Sequence, residues 1–226
     1  MKGDAPYPAL GVAVDIVLFT VTECRLEVLL TLREEAPYEG CWSLPGGFVG
    51  GEESADEAAH REIERKVGVT DVFLEQLYTF SRPNRDPRSR VVSVAYYALV
   101  SAQKRREAGG SRPSDWFPLG TVDGKLWVGD PEASLPLAFD HEDILTTGVT
   151  RIRGKLEYAP IGFQLLPPKF TLTELQQVYE AVLGSPMDKR NFRAKVQRSG
   201  QLESLDELRT GSHRPARLYK FEGAVF

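Results

Sequence analysis

From Gly11 to Phe19 the chain reads GVAVDIVLF, an apolar run that predicts a buried strand, with Leu26 to Leu32 as its partner. Arg33 to Gly40 is a loop rich in charge, Pro and Gly. Trp42 to Val49 leads into a helix expected from about Ser54 to Val67, which Gly68 ends in the position past the last turn. Val72 to Phe80 and Val91 to Val100 read as strands. Between them, Ser81 to Arg90 holds four arginines and two prolines in ten residues. Gln103 to Pro113 reads as a polar loop, and Trp116 to Trp127 as the last strand-and-turn region of a first domain. Asp140 to Leu156 spaces its apolar residues as a helix does, and is expected to close that domain.

Pro160, Gly162, Pro167 and Pro168 then punctuate the chain, so a boundary is placed after Leu156, dividing it into residues 1–156 and 157–226. In the second part Thr171 and Glu174 form a capping box. Leu172, Leu175, Val178 and Val182 mark one apolar stripe, which Gly184 stops. The turn Ser185-Pro186-Met187 precedes a second helix, Asp188 to Arg198, ended by Gly200. Two strands, Glu203 to Arg209 and Arg217 to Phe221, are joined by Thr210 to Pro215. Helix, tight turn, basic helix and basic hairpin are the pattern of a winged helix-turn-helix.

Charge sharpens the division. The net charge is -4 over 226 residues, but residues 1–150 hold 15 basic against 24 acidic side chains and residues 151–226 hold 13 against 8. A basic tail on an acidic body makes nucleic acid the first partner to consider. No run of about 18 apolar residues suggests a membrane span, and the N-terminus lacks the basic-then-apolar pattern of a signal peptide. A cytoplasmic location is expected. Cys24 and Cys41 make no disulfide framework and no metal spacing, and are expected to be buried or neutral thiols. The three histidines are scattered, which argues against zinc; no metal and no cofactor are expected.

With Phe192 and Val196 set inward, a turn of about 100° per residue brings Arg190, Ala194, Gln197 and Arg198 to the opposite face of the basic helix. Asn191 and Arg193 flank them, and Lys189 and Lys195 reach sideways toward phosphates. Arg, Asn and Gln make the bidentate contacts that read guanine and adenine edges. His213, Arg214 and Arg217 supply a basic tip for backbone or minor-groove contact.

The segment Gly47, Glu53, Arg61-Glu62 and Gly68 resembles the Nudix box, the loop-helix-loop signature of hydrolases acting on nucleoside diphosphates linked to another group. Where that family carries two metal-holding glutamates, this chain has Arg65 and Lys66. Residues 62, 65 and 66 share one helix face, and two cations there repel the Mg2+ that carboxylates hold. No catalytic residue set is therefore expected. The whole chain is similar to the Nudix-related transcriptional regulators, the NrtR-like repressors. The likeness rests on LPGGFV (Leu44 to Val49), RDPRSRVVSVAYYAL (Arg85 to Leu99) and FDHEDIL (Phe139 to Leu145), and more specifically on KLEYAPIGFQLLPPKFTLTELQQVYEAVLG (Lys155 to Gly184), DKRNFRAKV (Asp188 to Val196) and HRPARLYKF (His213 to Phe221).

The resemblance implies an α+β protein, a Nudix-type α/β/α sandwich with a mixed sheet followed by a winged helix-turn-helix. It further implies a homodimer on a palindromic operator of double-stranded DNA, control of NAD-metabolism genes, and release by ADP-ribose or a related nucleotide. Sugar-utilisation regulators share this architecture, so the regulon stays open. The expected effector contacts are Arg33, Arg82, Arg85 and Arg88 as bidentate anion partners and Gly46 and Gly47 for close backbone approach. Phe48 or Trp42 is expected for base stacking, and Arg65 and Lys66 for neutralising a pyrophosphate. One alternative is an active pyrophosphatase for ADP-ribose or a nucleotide sugar, with Glu53, Glu62 and Glu64 holding one metal. Another is a scaffold on a dead Nudix fold that binds no DNA.

Overall fold

The structure, a computed structural model, describes residues 9–68, 70, 72–107, 113–210 and 215–223. An eight-stranded sheet is its centre, made of β1 (Gly11–Thr22), β2 (Arg25–Leu32), β3 (Trp42–Ser43), β4 (Gly46–Phe48), β5 (Phe73–Phe80), β6 (Val91–Leu99), β7 (Ser114–Val122) and β8 (Lys125–Val128). The order is β5-β6-β1-β2-β7-β8, with β3 on β2 and β4 on β1. Only β1 and β6 pair in parallel among these ladders, so the sheet is mixed.

Alternation along β1 explains its unbroken apolar run, because each face buries a different set. Val14, Ile16 and Leu18 pack on Ala59, Ile63 and Val67 of α1 (Ala55–Val67). Val17 and Phe19 pack on Ile144, Val149 and Ile152 of α3 (His141–Lys155). The first domain is thus the expected three-layer sandwich. A short α2 (Ala102–Glu107) begins the stretch read as a polar loop, anchored by the Lys104 N–H on Ser101 Oγ.

The boundary is less open than its prolines suggest. A 3-10 turn, Pro160–Leu165, buries Ile161, Phe163 and Leu165, which continue one core from the sheet into α4 (Leu172–Leu183) and α5 (Lys189–Arg198). Here proline starts a packed turn, since its fixed φ suits the first turn of a helix. All four stripe residues of α4 are buried, and Thr171 and Glu174 form the expected reciprocal cap. The wing is β9 (Leu202–Arg209) paired antiparallel with β10 (Ala216–Phe221), and Phe170 bridges to Tyr219. Cys24 is a free, exposed thiol in the β1–β2 turn at φ 60, where Glu23 and Cys24 reverse the chain.

Candidate functional site

The ends of α1 fix what its middle can do. Ser54 and Glu57 cap it reciprocally, and Gly68 ends it in the left-handed region at φ 71. Glu62 and Lys66 consequently face β4. A Cβ on Gly46 would stand 2.2 Å from the Val14 carbonyl oxygen, and one on Gly47 would stand 2.6 Å from Glu62 Oε1. These glycines are required by packing against β1 and the helix.

Glu62 is only 2% exposed and is enclosed by cations. Arg61 donates to Oε1, and Arg65 donates to Oε2 at 2.7 Å. Lys66 Nζ lies 3.3 Å from Oε2 and donates to the Gly46 carbonyl. Burial pushes the Glu62 carboxyl up, but Arg65 and Lys66 outweigh it and hold it below the usual range. Glu53 is held at about 2 by bonds from Arg61 and the Gly50 N–H. Glu64 is exposed. Hard divalent cations need carboxylate oxygens with free lone pairs and net negative charge. One buried carboxylate among three cations does not fit such an ion.

Eight of the nine expected effector residues, Arg33, Gly46, Gly47, Phe48, Arg65, Lys66, Arg85 and Arg88, line a single cleft of about 270 Å3. Arg82 does not join them: its guanidinium bonds Asp143 at 2.7 Å on the outer flank of α3, beside Tyr78 and Thr147. Trp42 also lies outside the cleft lining, because its ring packs edge-on against Phe117 at 4.7 Å in the core. Phe48 is 52% exposed and remains available for stacking. Lys66 is buried, with its ammonium on Gly46 and Glu62.

Arg85 is not the solvent-facing arginine its loop suggested. It is buried and forked, donating to Asp140 at 2.6 and 2.9 Å and to Asp15 at 3.0 Å. Ser93 Oγ donates to Asp15 at 2.6 Å. His141 Nδ1 accepts from the Leu44 N–H at 2.9 Å, which leaves the proton on Nε2, 3.4 Å from Asp15. Burial pushes the Asp15 carboxyl up, but His141, Arg85 and Ser93 together hold it far below the usual range. Sequence reading passed over Asp15 and His141. The signal was a lone carboxylate inside the apolar run of β1.

Phe139 was passed over too. Its φ is 56, its ring lies 4.8 Å from Tyr38, and the guanidinium carbons of Arg33 and Arg88 lie 4.7 and 5.8 Å from its centroid. Asp86 engages Arg88 at 2.7 Å.

At the other end of α3, Arg153 Nε donates to the Val182 carbonyl at 2.9 Å and NH1 to Thr121 Oγ1 at 3.3 Å. It ties the last turn of α4 to β7, a favourable place for a cation. Burial lowers its guanidinium from the ordinary value.

On α5 the inward pair is Phe192 and Val196, as the spacing required. Asp188 caps the helix by accepting from the Asn191 N–H. Lys189, Arg190, Asn191, Lys195, Gln197 and Arg198 are exposed. Arg193 is half-buried, donating to Thr173 of α4 at 3.2 Å, so it sits at the helix seam. Arg217 is exposed on the wing, bonded to Ser204, while His213 and Arg214 lie outside the described residues.

Comparison with known proteins matches two family models to separate parts of the chain. Residues 9–135 match the NUDIX domain, and residues 162–221 match the NrtR DNA-binding winged helix domain. The "ADPR responsive transcriptional repressor NtrR" of Acinetobacter baylyi is 36% identical over 223 residues, 97% of this chain and 84% of the relative. Shewanella oneidensis NrtR complexed with a 27mer DNA superposes with a TM-score of 0.79 at 34% identity, over 93% of both chains. Its NUDIX domain complexed with ADP ribose gives 0.55 at 31% identity, over 66% of this chain and 94% of that one. The "ADP-ribose pyrophosphatase" of Methanocaldococcus jannaschii is 33% identical over 62% of this chain and 72% of its own length. With a Nudix domain, a winged helix and full-length similarity to a repressor, this chain belongs to the NrtR family.

Proposed function

We propose that this protein is a DNA-binding transcriptional repressor whose Nudix cleft binds ADP-ribose, or a related nucleotide, without hydrolysing it. Full-length similarity to a repressor named as ADPR responsive supports the role. The observation that carries the loss of hydrolysis is the cationic ring of Arg61, Arg65 and Lys66 around Glu62, which engages the one buried carboxylate of the box helix. In this reading Arg33 and Arg88 meet the diphosphate, Arg65 adds charge, and Phe48 stacks on the base. Arg85 and Lys66 act from behind, shaping the cleft floor. Residues 1–156 form the sensing part and 157–226 the DNA-reading part. Lys189, Arg190, Asn191, Lys195, Gln197 and Arg198 face the DNA, with Arg217 on the wing. The protein works as a homodimer on a palindrome, and NAD-metabolism genes are the expected targets.

The pyrophosphatase reading has a named relative in its favour. It requires Glu53 and Glu62 to release Arg61, and Lys66 to leave Gly46, before a metal enters. The experiment pairs two assays. Purified protein should shift duplex DNA from upstream of its own locus, with ADP-ribose abolishing the shift. With millimolar ADP-ribose and Mg2+ it should release little AMP over hours. Turnover near the ordinary enzyme range, about 1 s-1 or more, would favour the pyrophosphatase.

A further inference from the structure

Phe139 adopts the left-handed region at φ 56, uncommon for a bulky residue and a mark of functional sites when neighbours enforce it. The neighbours do so here. On one side the Ala138 N–H is held by the Trp42 carbonyl at 2.9 Å. On the other, Asp140 is gripped by Arg85, and His141 by the Leu44 N–H. The pinned chain turns the aromatic ring toward Tyr38, itself at φ 65 and 4.8 Å away. Arg33, from the end of β2, and Arg88, from the loop before β6, come within 6 Å of this one ring. Each is also tied to its own loop: Arg33 Nε donates to the Pro37 carbonyl at 2.8 Å, and Arg88 to Asp86. Two like charges brought together repel, and the negative face of an aromatic ring offsets part of that repulsion.

We propose that Phe139 is a positioning residue that spaces Arg33 and Arg88 to engage two phosphates of one ligand. The cleft thereby prefers a nucleoside diphosphate derivative to a monophosphate. This rests on the reading of the cleft as a nucleotide site. A monophosphate engages one guanidinium and gains little from the spacing; a diphosphate engages both.

The test is calorimetric titration of the full chain with ADP-ribose and, separately, with AMP. Phe139→Met keeps the volume and removes the ring. It should weaken ADP-ribose about tenfold while AMP changes less than about twofold. Phe139→Tyr should restore the wild-type ratio. Phe139→Leu, which also removes the ring, should lose the same preference and stands in if Phe139→Met does not fold. Equal losses for both ligands, or no loss, would overturn the proposal while leaving the nucleotide site intact. Wild-type protein that binds neither ligand would overturn both.

Discussion

The cleft and α5 are both rich in cations, and they hold them differently. In the cleft the arginines are already answered by the protein: Arg85 by Asp15 and Asp140, Arg65 by Glu62, Arg88 by Asp86. On α5, Lys189, Arg190 and Lys195 form no ion pair among the described residues, and each is exposed. Fixed, partly neutralised cations define a shape and accept one ligand that fits it. Exposed cations act additively on a polyanion and owe their affinity to released counterions. Under the proposed function, the same residue types would therefore serve a selective sensor in one region and a salt-sensitive reader in the other.

The sharpest break of this contrast is Arg85→Ala. It leaves Asp15 and Asp140 facing each other in a buried site, and unfolding stability should fall by roughly 3–5 kcal/mol. Urea denaturation measures it; a loss under about 1 kcal/mol would mean the fork behaves as a surface pair. Next is Arg190→Ala, expected to weaken operator binding by about 1–3 kcal/mol if it reads a guanine, with stability unchanged. Lys189→Ala separates reading from attraction. It should weaken specific and random duplexes alike and make the salt dependence shallower by about one counterion. Unchanged DNA affinity in both variants would move the interface off α5.

The smallest effect is acid sensitivity. The Asp15 carboxyl is depressed in the fold, so its contribution is fully present above its unfolded value and is lost as pH falls below about 4. Arg85→Ala should flatten the acid limb of the stability curve. An identical limb in wild type and variant would assign acid loss to other carboxylates.

The two regions were unequally legible in the sequence. α5 could be read nearly whole, because one apolar pair, Phe192 and Val196, fixes which side chains face out. Arg193 was the exception, since contact with Thr173 depends on how α4 crosses α5. The box helix was readable because capping and its closing glycine are local. The cleft's inner wiring was not. Arg85, Asp15 and Asp140 are distant in sequence and meet through the parallel β1–β6 pairing and the start of α3. Composition marked the loop around Arg85 as an anion site, but it gave no sign that the protein's own carboxylates would fill that role. Arg82 was misplaced for the same reason: three residues earlier along a turning loop, it meets Asp143 outside the cleft lining.

The contrast matters only if the regions communicate, and α3 touches both. Asp140 and His141 at its start hold the cleft network, and Arg153 near its end holds α4. A small rotation of α3 would change the separation of two α5 helices in a dimer, and half-sites about 34 Å apart tolerate little change. Titrating ADP-ribose by calorimetry into the full-length protein, free and bound to operator duplex, measures the coupling directly. Reciprocity requires DNA to weaken the nucleotide by the factor with which the nucleotide weakens DNA, about 5–150-fold for ordinary allosteric couplings. Arg153→Met should leave each ligand binding alone and bring the two titrations together. Equal wild-type affinities with and without DNA would contradict the sensing role of the cleft.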